Sequence, residues 1–213
     1  MSKKRQALIY QEMLIISWFL TLPWRQRNVR EMKLGPIEDG GNLWKGRVPP
    51  LATMAKPGWV EEALKADPRA EFWLIYFRSE ETKTHHTVHM FLPKQLVLLV
   101  EKFLEHYRPY LIRDHDPKTL FVTSRGTAFT EDALRNLVGQ LILHYTGRRT
   151  NPHLLRDIFA VKWLEDHPED YLTLSKILWH QDVNTTIRIY GRNFDESHGA
   201  RRVEQWLEKR GIL

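Results

Sequence analysis

Asn151-Pro152-His153-Leu154-Leu155-Arg156-Asp157-Ile158-Phe159-Ala160 opens the stretch that decides how this chain is read, and Ile177-Leu178-Trp179-His180-Gln181-Asp182-Val183-Asn184-Thr185-Thr186-Ile187-Arg188-Ile189-Tyr190 completes it. Apolar positions at helical spacing behind Pro152 predict a helix to about Asp166, with the proline in its first turn. His153 and Arg156, three apart, then share one face of that turn. Two more helices are expected, near Leu172 to Leu178 and Asn184 to Tyr190. His180 falls in the turn between them, and Tyr190 ends the second.

Upstream, residues from about Gln6 to Leu20 read as one helix, followed by a turn at Pro23 and a short helix from about Asn28 to Leu34. The stretch from Gly35 to about Trp59 is rich in glycine and proline and reads as loop or insertion. Phe72 to Phe77 and Thr87 to Leu92 are β-prone runs flanking a charged segment, which predicts a hairpin. From Pro93 to about Tyr107 the pattern is helical, with Leu96, Leu99, Val100 and Phe103 on one face. A short strand at Leu120 to Thr123 and a helix near Thr130 to His144 lead into the decisive stretch. A helix near Glu196 to Arg210, with Val203 and Leu207 on one face, closes the chain. The expected fold class is α+β, mainly α, with a small antiparallel sheet. No repeat or internal boundary is visible, so residues 1–213 read as one domain.

Composition narrows the chemistry. Among 213 residues, 32 Lys+Arg against 26 Asp+Glu give a formal charge of +6, which suits an anionic partner without requiring one. Cysteine is absent, which removes disulfides, thiolate nucleophiles and cysteine-based zinc sites. His85, His86 and His89 have no carboxylate or cysteine at a spacing that favours a metal, and none is expected. The longest apolar run, Met13 to Pro23, is short of the roughly 20 residues a bilayer span needs. No signal peptide or membrane anchor is read, and a cytoplasmic, nucleoid-associated location is expected.

A tyrosine attacks a phosphodiester effectively when cationic donors flank the phosphate and a neighbour takes its proton. Arginine suits the donor role because its planar fork meets two phosphate oxygens at once. Singly, each residue has an ordinary reading: His153 and Arg156 as a surface pair, Tyr190 as a half-buried core aromatic, Lys83 as a solvated charge. In order, they resemble the catalytic domain of tyrosine recombinases, the phage-integrase family. His153-Leu-Leu-Arg156 matches its His-x-x-Arg box, and Leu178-Trp179-His180 with Thr186 and Tyr190 matches its Leu-Gly-His and tyrosine box. Arg27-Asn-Val-Arg-Glu-Met-Lys-Leu34 is similar to the first arginine box, and Thr82-Lys83-Thr84 to the hairpin lysine. Leu120 to Gly126 resembles the segment leading to the His-x-x-Arg helix.

The resemblance implies a role for each residue. Arg27 and Arg156 clamp the scissile phosphate, and His180 adds a hydrogen bond. Tyr190 attacks, leaving a 3′-phosphotyrosyl link. Lys83 protonates the departing 5′ oxygen, and His153 assists proton transfer from the tyrosine. Neither ATP nor metal nor other cofactor is implied. The implied partner is double-stranded DNA, bound by a homotetramer on paired sites, with a DNA-bending accessory protein possible, in integration or excision of a mobile element. Arg125, Arg135, Arg148, Arg149 and Arg192 are candidate phosphate contacts. The family's N-terminal core-binding domain is not expected in this chain.

Three departures stand out. Trp179 occupies the position of the family's small glycine. The first box lacks the usual Thr-Gly-x-Arg wording, so Arg25, Arg27 and Arg30 compete, and Arg27 is chosen by its distance to Leu34. The turn carrying Lys83 is not fixed by the pattern. Two other readings stay open: a type IB topoisomerase-like nicking and sealing enzyme, and a DNA-binding module without catalysis.

Overall fold

The computed structural model describes residues 1–49, 54–191, 207, 208 and 210. It divides into two compact units, Met1–Arg156 and Asp157–Leu213. The helix expected near Glu196 to Arg210 lies outside the described residues except for Leu207, Glu208 and Arg210, as does Arg192.

The first unit is built around α1 (Lys3–Thr21), capped by the Ser2 hydroxyl, which accepts from the Arg5 amide. Its buried face carries Ala7, Leu14, Ile15, Trp18 and Phe19. Aromatic edges run outward from it: Trp18 meets Phe121 and Trp24, and Trp24 meets Phe77. After α2 (Gln26–Glu31) the chain forms β1 (Leu43–Arg47), α3 (Gly58–Ala66), β2 (Glu71–Phe77) and β3 (Val88–Phe91). The sheet is antiparallel in the order β1-β2-β3, with Lys45 opposite Trp73 and Ile75 opposite Met90. β2 is buried on both faces. Phe72 and Leu74 pack with Val60 of α3 and with Phe91, while Ile75 and Phe77 face the other way. Beyond β3 come α4 (Lys94–Lys102), α5 (Glu131–Thr146) and α6 (Pro152–Asp166), the last running into the second unit. That unit adds α7 (Tyr171–Ile177) and α8 (Val183–Tyr190).

Four sequence expectations need correction. Gly35 to Trp59 is not plain loop, because it contains β1. That strand lies at the sheet edge, so its pairing comes from β2 backbone and its charged, glycine-bearing sequence carries no strand signal. Gly58–Ala66 is a helix with no sequence counterpart. The helix from Pro93 is α only to Lys102; Phe103–Tyr107 forms a π turn, in which Tyr107 stacks on Tyr10 at 4.2 Å. Leu120 to Thr123 is not a sheet strand. Its apolar residues are buried, but the Val122 backbone is satisfied by a side chain: the Gln11 amide donates to the Val122 carbonyl at 2.8 Å and accepts its N–H at 2.9 Å.

Buried Arg108 fixes the loop that precedes this segment. Its guanidinium makes paired bonds to Asp116 at 2.6 and 2.9 Å and also donates to the Thr119 and Leu120 carbonyls. Chiefly through its bond to Arg108, the Asp116 carboxyl is lowered to about 2. Because the folded value lies below the unfolded one, the contribution to stability is full above the ordinary carboxylate range and fades as pH falls towards 2. Asp116→Asn is therefore expected to be less stable than wild type at pH 7, with the gap in urea midpoint closing between about pH 4 and 2. A gap constant over that range would contradict the assignment.

Candidate active site

In the first unit two buried amides tie the arginine-bearing α2 to the segment after β2. Asn28 donates to the Glu81 carbonyl at 3.3 Å. Asn42 donates to the Tyr76 carbonyl and to a Glu81 carboxylate oxygen, both at 3.1 Å, and accepts the Lys33 N–H. The other Glu81 oxygen accepts the Arg78 amide at 2.7 Å, closing a short 3-10 turn over Ser79–Glu81. Just beyond it, the buried Thr82 hydroxyl accepts the His86 amide at 2.9 Å. Lys83 is exposed on the turn so fixed. Asn28, Asn42 and Glu81 had no signal in the sequence, since isolated polar residues in loops are usually solvated.

The competing arginines differ in burial. The Arg27 side chain is 55% exposed and pairs with Glu31 one turn on. Arg30 is bonded to the same carboxylate and lies 3.7 Å from Glu131. Arg25, at the N-cap of α2, is half-buried, and its Nη1 is out of solvent contact. Burial thus sets Arg25 and Arg30 apart from exposed Arg27, whereas sequence spacing had singled out Arg27.

α6 begins as its sequence requires. Asn151 caps it, its side-chain oxygen accepting the His153 and Leu154 amides at 2.9 and 3.0 Å, with Pro152 at the first position. The lead-in passes close to α5: a Cβ on Gly139 would come within 2.8 Å of the Thr150 carbonyl oxygen, so this contact requires glycine. His153 is exposed in the first turn. Arg156 is only 3% exposed and donates to the Pro23 carbonyl at 2.5 Å, at the corner between α1 and α2. The structure therefore brings Arg156 to the corner that carries Arg25.

In the second unit α7 ends in a reversed turn, with the Trp179 amide bonded to the Lys176 carbonyl and the His180 amide to the Ser175 carbonyl. This pattern places the intervening residue in the left-handed region, usually glycine, and Trp179 adopts it with φ 51. His180 is thereby turned towards α8, where its Nδ1 lies 2.8 Å from the hydroxyl of fully buried Thr186. Asp182 caps α8 through the Asn184 amide. Four residues after Thr186, on the same face, Tyr190 is 4% exposed among Ala160, Leu164, Leu174 and Leu178. Its hydroxyl donates to Asp157 Oδ1 at 2.7 Å. Asp157 was not singled out from sequence, because it adjoins Arg156 outside the box spacing.

Among the described residues no helix is long and apolar enough to cross a membrane, and no three His, Cys, Asp or Glu are grouped to hold a metal ion. His89 instead meets the Tyr76 ring edge at 5.6 Å, and burial pushes its imidazole below the usual range.

No family model matches the chain. It is 33% identical over 88 residues to the tyrosine recombinase XerD of Lacticaseibacillus casei, covering 41% of this chain and 30% of that protein. To XerD of Yersinia pestis it is 31% identical over 101 residues, covering 45% and 32%. The chain thus spans about a third of the length of these curated relatives. A XerH site-specific recombinase in a post-cleavage complex with palindromic difH superposes with TM-score 0.59 over 97% of this chain and 48% of that one, at 20% identity. The pre-cleavage XerH complex gives 0.56 over 90% and 44%, also at 20% identity. XerA recombinase gives 0.57 over 96% and 64%, at 18% identity. The mainly helical fold with its three-stranded sheet is that of these recombinases, and the resemblance to the tyrosine recombinase catalytic domain is carried by sequence and fold alike.

Proposed function

We propose, on the premise of this tyrosine recombinase fold, that residues 1–213 form a catalytic domain that cleaves and rejoins DNA through a 3′-phosphotyrosyl intermediate, in site-specific recombination. The observation that carries the reading is the single face of α8 that holds both Thr186, bonded to His180, and Tyr190, bonded to a carboxylate. Buried tyrosine and histidine usually find polar partners; what supports the reading is that these two stand at the box positions, with Thr186, which holds His180, one turn before Tyr190 on one helix.

In this reading Tyr190 attacks phosphorus, and Arg156 stabilises the charge that builds on the nonbridging oxygens, with a first-box arginine beside it. Arg27 has the sequence spacing for that place; half-buried Arg25, two residues from the Pro23 carbonyl that Arg156 meets, is the alternative. His180, oriented by Thr186, adds a hydrogen bond to the phosphate. Lys83, on the turn fixed by Thr82, gives its proton to the leaving 5′ oxygen. The bond energy stays in the phosphotyrosyl link, so rejoining uses the same groups in reverse. Strand exchange would engage four protomers on two paired duplex sites, with an accessory DNA-bending protein as a further partner.

The test is to incubate the protein with supercoiled plasmid, quench with detergent, and map any DNA-linked peptide by mass spectrometry. The expected result is relaxed plasmid with a nucleotide adduct on the peptide containing Tyr190. The absence of any covalent protein–DNA species over a panel of plasmids would reject the reading. Relaxation without exchange between two sites would restrict it to nicking and sealing.

A further inference from the structure

Buried Tyr190 donates to a carboxylate: its hydroxyl meets Asp157 Oδ1 at 2.7 Å. The ring is enclosed by Ala160, Leu164, Leu174 and Leu178, while Asp157 is half-buried, so the phenol oxygen sits where the apolar cluster meets a carboxylate. Two helices fix this meeting. Asp157 is set by the register of α6, and Tyr190 by the Thr186–His180 bond one turn earlier on α8.

We propose that Asp157 is a catalytic residue, the acceptor of the Tyr190 phenolic proton in strand cleavage. The proposal rests on the cleavage reading above and gives this task to Asp157 in place of His153. As the Tyr190 Oη–phosphorus bond forms, the O–H bond breaks and the proton passes to Asp157 Oδ1. The P–O5′ bond breaks, and the 5′ oxygen takes a proton from the Lys83 ammonium. In rejoining, the attacking 5′-hydroxyl returns a proton to Lys83, and protonated Asp157 returns its own to the departing phenolate. Protons balance over the cycle, and no further reactant is needed. A phenol is a much weaker acid than a carboxyl group, so transfer belongs to the transition state, when bonding to phosphorus acidifies the phenol. Of the titratable groups nearby, Tyr171, whose phenol is pushed up by burial, packs on this cluster, His180 is engaged by Thr186, and exposed His153 lies one turn before Asp157 on α6; Lys176, Asp182 and Arg188 of α7, α8 and their connecting turn are exposed.

Asparagine separates proton acceptance from mere support, because its side-chain oxygen still accepts the hydrogen bond but is a negligible base. The experiment measures single-turnover adduct formation at neutral pH on a DNA that wild type cleaves, with DNA affinity and melting temperature measured alongside. Asp157→Asn is expected to bind DNA and melt like wild type and to cleave about 10²–10⁴-fold more slowly. A 5′-bridging sulfur, which departs without a proton, is expected to leave that deficit in place, marking it as a defect in accepting rather than donating a proton. Asp157→Glu, which keeps a carboxylate, is expected to cleave at least about tenfold faster than Asp157→Asn. If Asp157→Asn cleaves within about threefold of wild type, the proposal is overturned while the cleavage reading stands. An Asp157→Glu variant that folds and binds DNA yet cleaves more than about 10²-fold more slowly than wild type also overturns it, including where Asp157→Asn does not fold. A wild-type protein that forms no Tyr190 adduct overturns both.

Discussion

Tyr190→Phe is expected to bind DNA as wild type does and to leave no covalent adduct and no relaxed plasmid. Only one oxygen is removed. The ring keeps its place among Ala160, Leu164, Leu174 and Leu178, and the hydroxyl's bond to Asp157 is lost. That loss costs on the order of 0.5–1.5 kcal/mol, because half-buried Asp157 can turn to solvent. Chemistry changes far more than the fold, since phenylalanine has no nucleophile to offer and no intermediate can form. Gel shift, melting temperature and the detergent-quenched adduct assay together measure all three quantities. Adduct formation that survives the substitution would remove Tyr190 from the mechanism.

Gln11→Leu is expected to be strongly destabilising although it lies outside the site. The Gln11 amide meets both polar groups of the Val122 backbone, N–H and C=O, in a fully buried setting. Leucine fills a similar volume and satisfies neither. Each orphaned group costs about 1–3 kcal/mol, so the sum is about 2–6 kcal/mol. Against the roughly 5–15 kcal/mol that hold a typical domain together, this brings the protein close to unfolding. The readouts are the urea midpoint and hydrogen exchange at the Val122 amide. A midpoint within experimental scatter of wild type would mean that water or a rearranged backbone replaces the glutamine.

Helices with a strong apolar period were legible in the sequence: α5, α6, α7 and α8 lie within two residues of their expected ends. β1 was not legible, because an edge strand such as Leu43–Arg47 takes its conformation from the neighbouring backbone rather than from its own side chains. The Leu120 to Thr123 run was misread for a related reason. Its apolar residues are as buried as those of a strand, but the Val122 backbone pairs with the side chain of Gln11, 111 positions away, which no local pattern can reveal. At the candidate site, His153, Arg156, His180 and Tyr190 were picked out because, in order and spacing, they resemble the recombinase boxes. The sequence does not separate Arg25, Arg27 and Arg30 by environment, and Asp157 stands out only through the approach of α8 to α6 in space.

The π turn at Phe103–Tyr107 bears on how this chain tolerates changes in length. Its i→i+5 bonds enclose one residue more than an α turn. Removing a residue such as the exposed Glu105 lets the turn relax to α and leaves the downstream chain in phase. The same deletion inside α4 would rotate every later side chain by about 100°. The wide turn is therefore a built-in splice point, where a chain shortened by one residue can keep Arg108 and the loop it anchors in register.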